Sequence, residues 1–417
     1  MCALVQIRHP EFYIKLTTVW RSDFEVMVEV QPQILDRIST LPQDTIEKIL
    51  TLIPIEDALR TSILSKKWRH CWKGMHKLVF DDKYMNMSSN SKQIKKYKFV
   101  NAIFHVLLLH NGPISEFGIS INTNKKIYDE IDQIIVHLSK SKKINKFIFK
   151  SWSNDVIELY YFKRYKLPSV FFSFQGLEHL HLTYCVIELP LTSDGFIMLT
   201  SLRLCSVNIT KNTLLQLLTN CPLLLKFILM GCQNDSTTQG DKCTFLELSE
   251  RLPLVQVLKI SKHYMEQPDA AVGMEKLPNS LVHLRILVLD VCFLEQNGLS
   301  YALSVVSSSP NLEKIKIELG LNGQPWVGQT CKDLLDLQDY SGRHLDHLKE
   351  LEMTSFHYCP PEMAFVKFIM AKSPVLQKAR IELYTTVSVD EENKMLRDLL
   401  RLTFPRASPA VDIIIER

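Results

Sequence analysis

From residue 114 onward one phrase recurs along the chain: an apolar residue, two variable ones, an apolar residue, one variable, an apolar residue. It reads Ile114-Phe117-Ile119, Ile144-Phe147-Phe149, Leu177-Leu180-Leu182, Leu199-Leu202-Leu204 and Leu224-Phe227-Leu229. It continues through Val255-Leu258-Ile260, Leu284-Leu287-Leu289, Leu312-Ile315-Ile317, Leu348-Leu351-Met353 and Leu376-Ala379-Ile381, with successive starts 22 to 36 residues apart. The period-two ending of each phrase is that of a strand with one face buried. Helical spacing appears between phrases, as Ile131, Ile134, Ile135 and Leu138 and again as Leu214, Leu215, Leu217 and Leu218. Cys221-Pro222, Ser309-Pro310 and Ser373-Pro374 stop a helix at the same point before the next strand. A unit this small cannot bury its own apolar face, so neighbours must stack: the expected fold is α/β, a solenoid of parallel strands with returning helices.

Composition allows this. The 417 residues are 46% hydrophobic and 23% charged, an ordinary globular balance for two or three domains. A net charge of +4 is too small for this length to argue nucleic acid or a membrane surface. Ten cysteines fall singly, without CxxC pairs, and read as buried thiols of a reducing compartment. Arg8, His9, Glu11 and Lys15 break any signal-peptide core, and no run approaches the roughly 18 apolar residues of a membrane span. A soluble protein of nucleus or cytoplasm is expected.

With 13 glycines the chain holds no GxxxxGK, GxGxxG, HExxH or GxSxG motif. His179 and His181 share one strand face but lack nearby acidic or thiol partners, so solvent-facing residues are expected rather than a metal site. Asp333, Asp336 and Asp339 interleave with Leu334, Leu335 and Leu337 and read as the wet side of a helix. No catalytic residue, metal or cofactor is expected.

Between Asp36 and Trp72 lie three short amphipathic patterns, too small to bury a core of their own. Ile46, Ile49, Leu50 and Ile53 form one stripe of a helix that starts after Pro42 and stops near Pro54. Glu56 and Asp57 place negative charge at the start of a second helix, with Ala58, Leu59 and Ile63 as its buried face. Ser65 suits the N-cap of a third, carrying Trp68, Cys71 and Trp72. The order Leu41-Pro42, Ile49-Leu50, Ile53-Pro54, Asp57-Ala58, Arg60-Thr61-Ser62, Leu64-Ser65 and Lys67-Trp68-Arg69 resembles the F-box of plant F-box proteins, without a gap. The resemblance implies binding to a Skp-type adaptor and, through it, a cullin scaffold of a ubiquitin ligase. It assigns Leu41, Pro42, Ile46, Ile49, Leu50, Ile53, Pro54, Leu64 and Trp68 to the adaptor-facing and internal apolar surface.

The repeated phrases, several followed at one offset by Cys185, Cys232, Cys292 or Phe356, resemble the degenerate leucine-rich repeats of the same proteins. That offset faces inward in such repeats. The segments FHYCPPEMAFVKFIMAKSPVLQKARIEL and FPRASPAVDIIIE resemble the FBD domain, with Tyr358 and Cys359 where that family often has glycine. There a helix with Pro361 in its first turn carries Phe365, Val366, Ile369 and Met370, and a second carries Met395, Leu396, Leu399 and Leu400 before a last strand, Ala410 to Ile415.

The expected organisation is an unassigned extension (1–33), an F-box (34–82), a polar linker (83–98), leucine-rich repeats (99–340) and an FBD cap (341–417). The resemblance implies a non-catalytic substrate-recognition subunit of an SCF-type ligase that captures an unknown target through the repeats. The alternatives are an F-box scaffold outside a ligase and a repeat protein with a vestigial F-box. The residue between the last two apolar positions of each phrase faces outward: His181, Arg203, Ile228, Lys259, Val288, Lys316, Glu352 and Arg380. Five of these eight are basic or histidine, which suits an acidic or phosphorylated target segment, but ordinary surface charge is the preferred explanation of the row, and these residues are not assigned to a site.

Overall fold

The structure is a computed structural model. It describes residues 40–83, 92–122, 127–140, 144–152, 164–190, 196–231, 242–265, 281–293, 298–320, 344–385, 387–400 and 406–417. The chain divides into two compact units, 1–119 and 120–417. The extension 1–33, Cys232 and the Asp333–Asp339 stretch lie outside the described residues.

In the first unit, α1 (Gln43–Thr51) follows Pro42 and α2 (Ile55–Arg60) follows Pro54, each proline fixing the extended approach to a first turn. A 3-10 turn, Thr61–Ile63, replaces the expected end of the second helix, and another, Trp68–Gly74, stands where the sequence suggests a third α-helix. Ser65 still serves the second of them, its Oγ accepting from the Trp68 N–H at 3.4 Å. Strand β1 (Lys77–Asp81), helix α3 (Lys92–Leu109) and strand β2 (Glu116–Asn122) follow. Helix α3 corrects the linker expectation: it begins inside 83–98, because the lysines there precede Phe99, Val100, Ile103 and Val106, whose side chains are buried.

The three short patterns therefore do not stand alone. Their buried residues, Ile46, Leu50, Ile55, Ala58, Trp68, Cys71 and Trp72, belong to a core that also holds Met75, Leu78, Phe80 and Phe99. Phe80 and Phe117 rings lie 6.0 Å apart, and the His110 ring nitrogen sits 2.7 Å from the Met75 carbonyl. The segment after α3 is stitched to the 3-10 turn by Asn111 N–H to Lys73 O at 3.0 Å and Ser115 N–H to His76 O at 2.8 Å.

The second unit begins with α4 (Tyr128–Ser139) and β3 (Lys146–Trp152), then β4 (Tyr165–Lys166), β5 (His179–Thr183), β6 (Cys185–Val186) and β7 (Ser201–Cys205). It runs on through α5 (Lys211–Thr219), β8 (Lys226–Met230), α6 (Phe245–Glu250), β9 (Val257–Ser261), β10 (Ile286–Val291), α7 (Gly298–Ser307) and β11 (Lys314–Leu319). Strand β12 (Glu350–Phe356), α8 (Pro360–Lys372), β13 (Lys378–Leu383), α9 (Val389–Leu400) and β14 (Asp412–Glu416) complete it. Each recurring phrase lies on a strand. Within this unit β3, β5 and β7–β14 pair in that order, and every recorded pair is parallel.

Register is regular from strand to strand except for a bulge between Met353 and Phe356 of β12, where it pairs with β13. Phe147, Leu180, Leu202, Phe227, Leu258, Leu287, Ile315, Leu351 and Ala379 align laterally, and all are buried. The entrances of successive strands are also linked, as in Gln256 N–H to Leu225 O and Arg285 N–H to Gln256 O. Helices supply the other side of the core: Ile131, Ile134, Ile135 and Leu138 of α4 are buried, as are Leu214, Leu217 and Leu218 of α5. Leu215 is only half-buried. Cys185, Cys292 and Phe356 face inward as their offset requires. The turns that follow β5 and β7 place Tyr184 and Ser206 at positive φ, 56° and 50°.

At the far end, α8 begins with Pro360 and buries Phe365, Val366, Ile369 and Met370. Met395 and Leu399 of α9 are buried, and Ser408 Oγ donates to the Leu376 carbonyl at 2.7 Å. Tyr358 adopts φ 59°, a left-handed conformation that glycine takes without strain, and its hydroxyl donates to Asp398 Oδ2 at 2.6 Å.

Candidate functional site

The nine F-box positions divide by exposure. Ile46, Leu50 and Trp68 are buried inside the first unit and hold it together. Leu41, Ile49 and Ile53 are half-exposed, Pro42 and Pro54 are exposed, and Leu64 is 43% exposed. Helical geometry explains the division: Ile46 and Leu50 are one turn apart on the core side, and Ile49 lies on the shoulder of that stripe.

Two exposed apolar residues were missed in the sequence. Leu52 is 72% exposed and Ile63 is 89% exposed, although Ile63 was expected on a buried face and Leu59 is only half-buried. The correction has a local cause. The chain tightens into a 3-10 turn at Thr61, and three residues per turn carry Ile63 away from Ala58. Its signal was the apolar pair Ile63-Leu64 in a polar surround. Exposed apolar side chains around a polar rim mark a contact surface.

The segment that presents Leu41 is fixed from across the unit, where Lys67 Nζ donates to the Leu41 carbonyl. Cys71 Sγ donates to Lys67 O at 2.9 Å, and Asp57 pairs with Arg60 at 2.9 Å on the exposed side of α2. The Glu56 carboxyl is pushed above the usual carboxylate range, chiefly by burial and further by Asp57 and Asp81. Its helix-start position does not offset that.

The second surface is the outward face of the parallel strands. The row expected from alternation is real: His181, Arg203, Ile228, Lys259, Val288, Lys316, Glu352 and Arg380 are lateral partners in unbroken order. Ile148 precedes it and Ile414 follows it. The charges are not alike along the row. From β9 onward cations meet carboxylates: Lys259 with Glu318 at 2.7 Å, Lys316 with Glu352 at 2.6 Å, and Arg380 with Glu416 at 2.9 Å. Strands β3, β5, β7 and β8 carry no Asp or Glu at all.

These four strands frame a hollow of about 570 Å³, whose lining includes Lys146, Ile148, His179, His181, Arg203 and Lys226. Burial lowers the His181 pKa to about 4, and Lys150, Arg203 and Lys146 add to the effect. Its Nε2 lies 3.2 Å from Thr183 Oγ1. Among the described residues no three His, Cys, Asp or Glu side chains gather as a metal ion would need. Burial also holds Cys185 and Cys221 up at about 12, far from a reactive thiolate. No helix among the described residues is long and apolar enough to cross a membrane.

Comparison with known proteins follows the same division. Residues 38–80 match the F-box domain, 146–246 match the repeats described as "FBD-associated F-box protein At5g56370, LRR repeats", and 344–381 match FBD. The chain is 28% identical over 425 residues to the F-box/FBD/LRR-repeat protein At1g13570 of Arabidopsis thaliana, covering 91% of this chain and 98% of that one. It is 24% identical over 299 residues to the Arabidopsis F-box protein At5g03100, covering 68% of this chain and 89% of the relative. A third Arabidopsis relative, the putative F-box/FBD/LRR-repeat protein At5g56810, is 32% identical over 194 residues, 45% of this chain and 41% of its own.

Proposed function

We propose that this chain, which belongs to the F-box/FBD/LRR-repeat family with homologues in Arabidopsis thaliana, is the substrate-recognition subunit of an SCF-type ubiquitin ligase. Its F-box binds a Skp-type adaptor and, through it, a cullin, while the outward face of its repeats binds a target protein. The observation that carries this reading is the apolar surface left by the first unit: Pro42, Leu52, Ile63 and Leu64 stay exposed after Ile46, Leu50 and Trp68 have formed the core. A helical module with apolar side chains turned outward suits a partner's hydrophobic groove. The adaptor-facing set is accordingly Leu41, Pro42, Ile49, Ile53, Pro54 and Leu64, joined by Leu52 and Ile63. Ile46, Leu50 and Trp68 support it from within.

The chain itself does no chemistry in this reading. It holds a target so that the target's lysines meet a ubiquitin-charged enzyme at high effective concentration, a gain that comes from proximity alone. The division into F-box (34–82), repeats (99–340) and FBD cap (341–417) is part of the proposal, except that residues 99–109, the end of α3, pass from the repeats to the first unit.

Co-purification with a Skp-type adaptor and a cullin tests it. The wild-type chain should retain both partners. Leu41→Ala combined with Pro42→Ala should lose them while keeping its thermal transition, because neither side chain is in the core. A folded wild-type chain that binds no adaptor would end the receptor reading.

A further inference from the structure

The outward face of the repeats changes character at one boundary. Between β9 and β14 each interior cation of the row has a carboxylate at hand: Lys259 has Glu318, Lys316 has Glu352, and Arg380 has Glu416. Lys314 is similarly placed beside Glu350 at 2.8 Å. Such a face is close to neutral over a few ångströms, and screening by salt removes what remains at longer range. Between β3 and β8 the strand partners of the exposed cations Lys150, Arg203 and Lys226 are histidines or uncharged residues: Lys226 aligns with Ser201 and, beyond it, His179. His181 and Arg203 form the next row, and Lys150 aligns with Thr183.

We propose that this face of β3, β5, β7 and β8 is the part of the repeats that receives the target, and that what it receives is a carboxylate-rich, extended segment of the target protein. The inference rests on the receptor reading above and narrows it. Sequence alone spread five basic or histidine residues over the whole sheet; the ion pairs remove Lys259, Lys316 and Arg380 from contention and leave one basic quarter.

The chemistry of the face selects the ligand. Strands lie about 4.8 Å apart, so β3 to β8 spans about 14 Å, the length of some four extended residues. Lys150, Arg203 and Lys226 are exposed over that span. They are spread across it and do not converge on one point. A single phosphate asks for convergent guanidinium forks, and only one arginine, Arg203, is present on these strands. A run of carboxylates spaced along a strand-like peptide matches dispersed lysines better. Between the charges the floor is apolar, with Ile148 half-buried and Ile228 nearly buried, and can take the small side chains that alternate with the acids. His181 fits the same picture: the cations around it and its burial keep the imidazole neutral, so the charge offered to a ligand resides in lysine and arginine.

Fluorescence anisotropy of the full chain with a dye-labelled (Glu-Ala)6 peptide is the test, with (Gln-Ala)6 as its uncharged counterpart. The acidic peptide should bind, with affinity falling as salt rises, and the glutamine peptide should not. Arg203→Gln with Lys226→Gln should weaken binding about tenfold, an estimate from about 0.7 kcal/mol for each exposed charge contact. Lys378→Gln with Arg380→Gln removes the same charge from the paired end and should change it by less than about twofold. All four side chains are at least partly exposed, so each variant should keep the wild-type melting temperature.

Three results would overturn the proposal: no binding of the acidic peptide, equal losses in the two double variants, or tighter binding of a phosphoserine peptide or a single-stranded oligonucleotide than of (Glu-Ala)6. Adaptor co-purification on the same variants separates the two readings. A chain that keeps the adaptor but ignores the peptide removes this inference alone, and a chain that binds the peptide but no adaptor removes the ligase.

Discussion

At the scale of single residues, Glu56 shows what a helix start cannot do. A carboxylate in the first turn of α2 should gain from the positive end of the helix, an effect of about 0.3–1 kcal/mol at the surface. Here one carboxyl oxygen is buried without a hydrogen-bond partner and two aspartates lie nearby, so the charged form is disfavoured in the folded state. Its folded pKa lies above its unfolded one. Between those values the folded chain holds the extra proton, so stability falls as pH rises through the folded pKa and stays lower at neutral pH. Glu56→Gln should therefore raise the melting temperature at pH 7, and the gain should shrink as pH falls through the carboxylate range. A variant equally stable at both pH values would contradict this. Tyr358 makes the opposite point about reading residues. It stands where glycine often does, and it holds a left-handed φ of 59° while its side chain reaches Asp398. No local propensity reveals a partner forty residues away.

Among the elements, those with a strict period were legible in the sequence and those shaped by their neighbours were not. Every apolar phrase is a strand because alternation and a buried inward residue agree, with a proline stop added at some, as at Leu214 to Leu229. Helix α3 was hidden because its first turn reads as a charged linker and the first buried residue among those described is Phe99. The third F-box segment was expected to be α-helical from the spacing of Trp68, Cys71 and Trp72, a spacing that a three-residue turn satisfies at least as well. Of the candidate site, the polar and apolar positions could be read from the sequence. Which of them the chain would bury for itself could not, since Ile46 and Ile63 look equivalent until the Trp68–Gly74 turn and β1 supply the core. Where the segment after α3 meets the 3-10 turn, a Cβ on Gly112 would stand 2.8 Å from the Gly74 carbonyl oxygen. Gly112→Ala should thus cost about 1–3 kcal/mol by forcing these two backbones apart. Chemical denaturation checks it, and a loss under half a kilocalorie would mean that the contact relaxes.

On the scale of the second unit, stability comes from stacking, with each strand held by the two beside it. Strand β14 has only β13 among the described strands, and Ile413, Ile414 and Ile415 are just half-buried. Hydrogen exchange should show β14 amides opening well before those of β9 to β12, whose inward residues are fully covered on both sides. Uniform protection from β9 to β14 would argue against nearest-neighbour stabilisation. The same lateral register that stacks the strands has a further result. Inward positions carry most of the fold and the exposed outward positions little of it, Ile228 being the buried exception, so much of the outer face works like a keyboard whose keys can be exchanged one at a time without rebuilding the instrument. On the receptor reading proposed above, altering His179, Arg203 or Lys226 alone would change which targets are held, which would let a lineage acquire new targets faster than it could acquire new folds.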